Sequence, residues 1–152
     1  MAFGIEEVAQ VSVEESLRLL DSVLEAFNAH DPDRLDKVNA ESMIFYATGL
    51  AEPLKGRAAV REWNKTFMTA FPDVRIRKER SFGQGDWICV EGTNVGTHKG
   101  PLPGPGGRMI PATNRPIRLD VAATLKVEGG EGTEVHMYLD QLALMTQLGL
   151  TP

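Results

Sequence analysis

Three residues near the C-terminal end, His136, Tyr138 and Asp140, are spaced two apart in a stretch that reads as a β-strand. Side chains alternate across a strand, so an imidazole, a phenol and a carboxylate share one face there, while Val135, Met137 and Leu139 share the other. A carboxylate ending a strand beside those groups could act as a general base when partly desolvated, because burial raises its pKa toward the working pH. The same residue has a plainer use. Asp140 stands directly before an amphipathic segment, Gln141 to Leu148, and aspartate is a favoured helix N-cap. Spacing alone leaves capping and catalysis both open.

Other chemistries find less support. The run Gly104-Pro105-Gly106-Gly107 has no strand leading in and no helix following, as a phosphate cradle would need. His30, His98 and His136 are scattered, without cysteine neighbours or an i, i+4 pair, which speaks against a metal site. The single cysteine, Cys89, cannot form an internal disulfide and lies in an apolar run, so it reads as a buried, inert thiol. A net charge of -5 argues against a nucleic-acid partner. Arg75, Arg77, Lys78 and Arg80 do cluster, but they alternate along an expected strand and read as a solvated face. The chain opens with no basic stretch followed by an apolar one, and holds no apolar run long enough to span a bilayer. The expected location is the cytoplasm, with no membrane partner.

The elements that must position Asp140 follow from periodicity. With 152 residues, 42% hydrophobic and 24% charged, the chain has the size and composition of one globular domain, 1–152. Residues up to about Val11 read as a loose arm. Ser12 and Glu15 form a capping box, and Leu17, Leu20, Leu24 and Phe27 then recur at helical spacing. Asp31-Pro32 starts a short second helix, and Met43 to Thr48 is β-branched and aromatic enough for a strand. A third helix runs from about Gly56 to Ala70 with Val60, Trp63, Phe67 and Ala70 on one face, and Phe71-Pro72 stops it. The period then changes to alternation, giving strands near 74–82, 86–98, 115–127 and 133–140. Lys99 to Asn114, rich in proline and glycine, reads as an irregular loop over a site or an edge. Helices followed by strands make an α+β pattern in which the helices cover one wall of a curved sheet. The second wall is apolar enough to want a partner, and a homodimer is the simplest one.

Several of these segments resemble one family. Gly56-Arg57-Ala58-Ala59 leading to Trp63, Ala70-Phe71-Pro72-Asp73, Gly85-Asp86 with a strand into Gly96-Thr97-His98-Lys99-Gly100, and Tyr138-Leu139-Asp140-Gln141 running to Gln147-Leu148-Gly149 look like the ordered signatures of the SnoaL-like polyketide cyclases. The resemblance covers roughly residues 14 to 150. It implies a nuclear transport factor 2-like α+β cone: N-terminal helices packed on a curved, mainly antiparallel sheet that encloses a pocket, usually as a dimer. It also implies an intramolecular aldol cyclisation of a small apolar or polyketide-like ligand, without metal or organic cofactor, in which the aspartate matching Asp140 is the acid/base. Two departures stand out. Pro111-Ala112-Thr113-Asn114 replaces a compact Pro-Pro-Thr-Gly loop behind a longer Pro101 to Met109 insertion, and Gly129-Gly130-Glu131-Gly132 replaces an Asp-Gly hairpin. The first concerns the pocket mouth and so the substrate.

Three functions compete. In a cyclase or isomerase of carbon acids, Asp140 takes the α-proton, His98 or His136 holds a carbonyl oxygen, and Tyr46, Trp63 and Phe67 supply pocket wall; Trp63 and Phe67 could equally be plain core, and Tyr46 and His98 could face solvent or brace loops. An epoxide hydrolase needs an Asp-Arg-Asp grip on water. Arg118 and Asp120 share a face, but the relatives carry that pair one strand earlier, where this chain has Glu91 and Thr93. The third function is a non-catalytic pocket for a small apolar ligand.

Overall fold

The structure, a computed structural model, describes residues 11–151. The expected N-terminal arm lies almost wholly outside the described residues. Four helices and eight strands follow in the order α1 (Val13–Asn28), α2 (Pro32–Val38), β1 (Asn39–Ala47), β2 (Leu54–Lys55), α3 (Arg57–Ala70), β3 (Arg75–Gln84), β4 (Trp87–Thr97), β5 (Leu102–Pro103), β6 (Met109–Ile110), β7 (Pro116–Glu128), β8 (Glu131–Leu139) and α4 (Gln141–Gln147).

Local chemistry accounts for the helix ends. The Ser12 hydroxyl accepts from the Glu15 amide at 3.2 Å while the Glu15 carboxylate accepts from the Ser12 amide at 3.0 Å, so two orphan amides of α1 are satisfied. Asp31 accepts from the Arg34 amide at 3.0 Å and Pro32 takes the first position of α2, where its missing N–H costs nothing. Helix α3 begins after Gly56 at φ +90°, a backbone region that side chains with a Cβ avoid. It ends where Phe71 precedes Pro72.

Six strands form one sheet in the order β2-β1-β8-β7-β4-β3. All neighbours are antiparallel except β1 and β8, which run parallel, so the sheet is mixed. Bulges interrupt the register in β1 between Asn39 and Ile44, in β3 between Lys78 and Arg80, and in β8 at Thr133, opposite Lys126 and Val127 of β7, and such bulges bend a sheet. Strand β1 starts four residues before the expected Met43, because Asn39 pairs with Gly132 across the first bulge. The bulge in β3 also separates the basic residues. Lys78 turns toward α1 and pairs with Asp21, whereas Arg80 stays on the opposite face and pairs with Glu91 at 2.8 Å.

The loop 99–114 carries more order than its composition suggests. Strands β5 and β6 form a two-residue hairpin around a short 3-10 turn at 105–107. The Lys99 and Gly100 amides both donate to the Ala70 carbonyl, which ties the loop to the end of α3. A Cβ at Gly100 would run into the Thr69 carbonyl, so glycine is what admits this close approach.

The register separates two faces. Val135 of β8 packs with Leu20 of α1 and with Met43, Phe45 and Val60, the last on α3, so its row faces the helices. The partner row of β7, Ile117, Leu119, Leu125 and Val127, is buried there as well. The opposite face carries Tyr46, Trp87, Thr124, His136 and Tyr138, and among the described residues no layer covers it.

Candidate functional site

On the helix side, burial is uneven in an informative way. Three clusters are nearly solvent-free: one around Phe71, Leu119 and Leu148, one around Leu20 and Leu125, and one around Met43 and Val60. Between them the facing side chains are only half-buried, although they sit at the middle of the layer: Leu24 and Phe27 on α1, Trp63 and Phe67 on α3, Val121 and Met137 on the sheet. Partly buried apolar side chains between three solvent-free clusters mark the less tightly packed part of the helix-side layer.

The open face carries a groove of about 530 Å³ lined by Arg80, Glu91, Thr93, Asp120, Tyr138 and Asp140. Asp140 caps α4 with one oxygen, Oδ1, which accepts from the Ala143 amide at 2.9 Å. Its Oδ2 has no hydrogen-bond partner among the described residues. The chain on both sides of it is fixed. Thr48 Oγ1 donates to the Leu139 carbonyl at 2.9 Å and lies 3.0 Å from the Leu139 amide, and Gln141 Nε2 donates to the Thr48 carbonyl at 2.7 Å. Gln147 at the far end of α4 grips the Arg118 amide and carbonyl at 2.7 and 2.9 Å. The closing Asp-Gln…Gln-Leu-Gly segment thereby holds one carboxylate in place at the sheet's end.

The expected site residues fall into separate groups. Trp63 and Phe67 pack in the helix-side layer, on the far side of the sheet from Asp140. Tyr46 and His136 come together on the open face, stacked at 4.4 Å and 5°, with Glu134 accepting from His136 Nε2 at 2.6 Å and Trp87 at 6.0 Å. His98 does not line the groove. It is fully buried against Phe71, ring centroids 5.2 Å apart. The Thr113 amide donates to its Nδ1 at 3.2 Å, which puts the ring proton of the neutral form on Nε2. Of the epoxide-hydrolase pair, Asp120 lines the groove and Arg118 does not. Cys89 is partly buried, and burial followed by the nearby Glu91 charge pushes its thiol pKa up, away from the nucleophilic form. Among the described residues no cluster of His, Cys, Asp and Glu could hold a metal, and no helix is long and apolar enough to cross a membrane.

Sequence reasoning did not single out Asn94. It is the polar member of the helix-facing row Ile88, Val90, Gly92, Asn94, Gly96, and that alternation was the available signal.

His98 makes stability depend on pH. Burial depresses its pKa below 6.5, against a smaller opposing pull from the Gly100 backbone. The unfolded chain therefore binds the proton more readily, so the His98 contribution is intact above about pH 6.5 and is lost as pH falls through the depressed native value. Melting temperature should fall between pH 7 and pH 5, and fall less in His98→Gln. An equal fall in both proteins would assign the effect elsewhere.

An α+β cone of nuclear transport factor 2-like type is what these layers define. The family description for the SnoaL-like polyketide cyclases matches residues 17–148, and the chain belongs to that family. Solved structures share the fold. A candidate SnoaL-like polyketide cyclase from Jannaschia sp. CCS1 is 15% identical with a TM-score of 0.81, covering 94% of this chain and 98% of its own. IdmH, a candidate polyketide cyclase from Streptomyces antibioticus, is 22% identical with a TM-score of 0.74, covering 90% and 99%. An LEH-like epoxide hydrolase from M. tuberculosis is 15% identical with a TM-score of 0.69, covering 90% of each chain. At these identities the likeness is one of fold. No curated protein matches the chain by sequence.

Proposed function

We propose that the chain is a cofactor-independent cyclase or isomerase of polyketide-like carbon acids in which Asp140 carries the proton. The observation behind this is the division of labour in one carboxylate: Oδ1 is held by the helix cap and Oδ2 has no partner among the described residues. A carboxylate oriented in this way can take the proton between two carbonyls of a β-dicarbonyl substrate. The electron pair left on carbon delocalises onto both carbonyl oxygens, so a modest base is enough and no metal is needed. The proton then returns to carbon in an isomerisation, or to the alkoxide formed when the enolate carbon attacks a second carbonyl. The test is exchange of that α-proton for deuterium in D2O, followed by NMR. Protein-dependent exchange of a simple 1,3-diketone is the expected result, and exchange no faster than in buffer refutes it.

The open face supports a homodimer as part of the same proposal. Phe82 and Tyr138 are more than half exposed there, with Tyr46 and Trp87 a third exposed beside them. A second copy would cover these rings and dry the groove around Asp140, strengthening electrostatics within it. Sedimentation at micromolar concentration should give twice the chain mass, and Phe82→Asp should return it to the monomer. A wild-type monomer would defeat the dimer.

A second reading has its own support. The partly buried apolar side chains of the helix-side layer, Trp63 and Phe67 among them, lie on the other side of the sheet from Asp140, which favours a protein that binds a small apolar ligand there without transforming it. Saturable binding of such a ligand with no deuterium exchange distinguishes the two.

A further inference from the structure

Five charged residues line the groove on the open face, and three of them are already paired. Arg80 holds Glu91 at 2.8 Å, and Glu79 holds Arg77 at 3.4 Å. Asp120 and Asp140 form no ion pair among the described residues. The register sets them side by side: Val121 pairs with Leu139, so Asp120 stands across from the position of Asp140. Like charges so placed repel. On its other side Asp120 pairs with Thr93, which continues the same row onto β4. Thr93 is 4% exposed and lines the groove, and its hydroxyl has no hydrogen-bond partner among the described residues. The buried atoms left unpartnered and closed to solvent are Ser16 Oγ, Asn94 Oδ1 and His98 Nε2, so the Thr93 hydroxyl keeps an opening, and the groove is where it lies. In the next row the small Ala122, between Glu91 and Tyr138, leaves room above the sheet.

We propose that Asp120 and Thr93 form a subsite for the primary ammonium group of a small organic molecule lying in this groove. An ammonium brings positive charge and three N–H donors, and the row offers an unpaired carboxylate and a hydroxyl oxygen to receive them. Bound there, it also relieves the repulsion between Asp120 and Asp140. A metal ion is a poorer occupant, since no cluster of described His, Cys, Asp and Glu residues could hold one. The subsite goes beyond the cyclase reading and does not depend on it, because binding is measured without turnover. Together with that reading it makes the substrate an amine-bearing carbon acid, with Asp140 facing the carbons beside the ammonium.

Benzylamine and benzyl alcohol, alike in size and different in charge at pH 7, test this by NMR titration of backbone amides. The wild type should bind benzylamine about five- to tenfold more tightly, the worth of one charged hydrogen bond at a partly open site. Asp120→Asn should erase that preference. Thr93→Val should reduce it severalfold without lowering the melting temperature, since it removes an unpaired hydroxyl and keeps the β-branch, and Thr93→Ser should preserve it. Glu131→Gln, the same change of charge at the opposite end of β8, should leave it as in the wild type. Equal losses in Asp120→Asn and Glu131→Gln would mean attraction by net charge alone and overturn the subsite. A preference that survives Asp120→Asn overturns it too, as does a wild type that binds the two probes equally or binds neither. A melting temperature that collapses in Thr93→Val makes that hydroxyl structural and removes it from the subsite.

Discussion

Asp140→Asn is expected to lower protein-dependent deuterium exchange of a 1,3-diketone by about 10²–10⁴-fold, the usual worth of a general base. The substitution separates the two roles of the residue. Asparagine matches aspartate in shape and ranks with it as an N-cap, so its Oδ1 can keep the bond from the Ala143 amide and hold α4 in place. It cannot accept a proton at neutral pH. Melting temperature should therefore stay within a few degrees of wild type while exchange is lost. Asp140→Ala provides the contrast. It removes cap and base together, costing about 1 kcal/mol for the cap, or roughly 2–4 °C in a chain of this length. If exchange persists in Asp140→Asn while melting collapses, the carboxylate is a cap and the proton is moved elsewhere.

Phe71→Ala should be the most damaging single truncation of the core. Phe71 is fully buried where the end of α3 meets β4, and its ring lies 5.0 Å from Phe67 and 5.2 Å from His98. Its backbone amide also closes the last turn, donating to the Phe67 carbonyl at 2.9 Å. Removing the ring deletes contacts from α3 and from His98 at once, and Gly96 beneath it has no side chain to fill the void. The expected cost is about 3–5 kcal/mol, equivalent to roughly 6–20 °C. Leu142→Ala serves as the control, because Leu142 is 69% exposed on α4 and its loss should stay within about 0.5 kcal/mol. Urea unfolding of both variants measures this, and similar losses would show that the cluster around Phe71 is not the keystone.

Much of this was legible because it is local. The Ser12–Glu15 box, the Asp31-Pro32 start and the Asp140 cap each involve residues within one helical turn, so spacing alone predicts them. Alternation likewise put His136, Tyr138 and Asp140 on one face. What alternation cannot say is which face the helices cover, since that depends on packing partners far away in sequence. Val135 decides it by meeting Leu20 and Val60, and the result sets Trp63 and Phe67 on one side and Asp140 on the other. The stacking of Tyr46 on His136 was hidden for the same reason, since it arises from the parallel pairing of β1 with β8. Asn39 to Ser42 reads as polar and turn-like, and becomes strand only because Gly132 is there to pair with it. His98 looked equally suited to a pocket or a loop, and the Thr113 contact that buries it joins two ends of a segment without strong periodicity.

The doubled duty of Asp140 has an evolutionary reading. As a cap the position tolerates asparagine or serine almost without loss, whereas as a base it tolerates neither. A lineage of this fold selected only for binding would be free to drift among those three residues while α4 stayed in place. A lineage selected for proton transfer would be confined to a carboxylate. Position 71 carries no such record, because every descendant must fill that volume whatever it does with a ligand. Variation at 140 alone, set against constancy at 71, would therefore date the loss of chemistry independently of any assay.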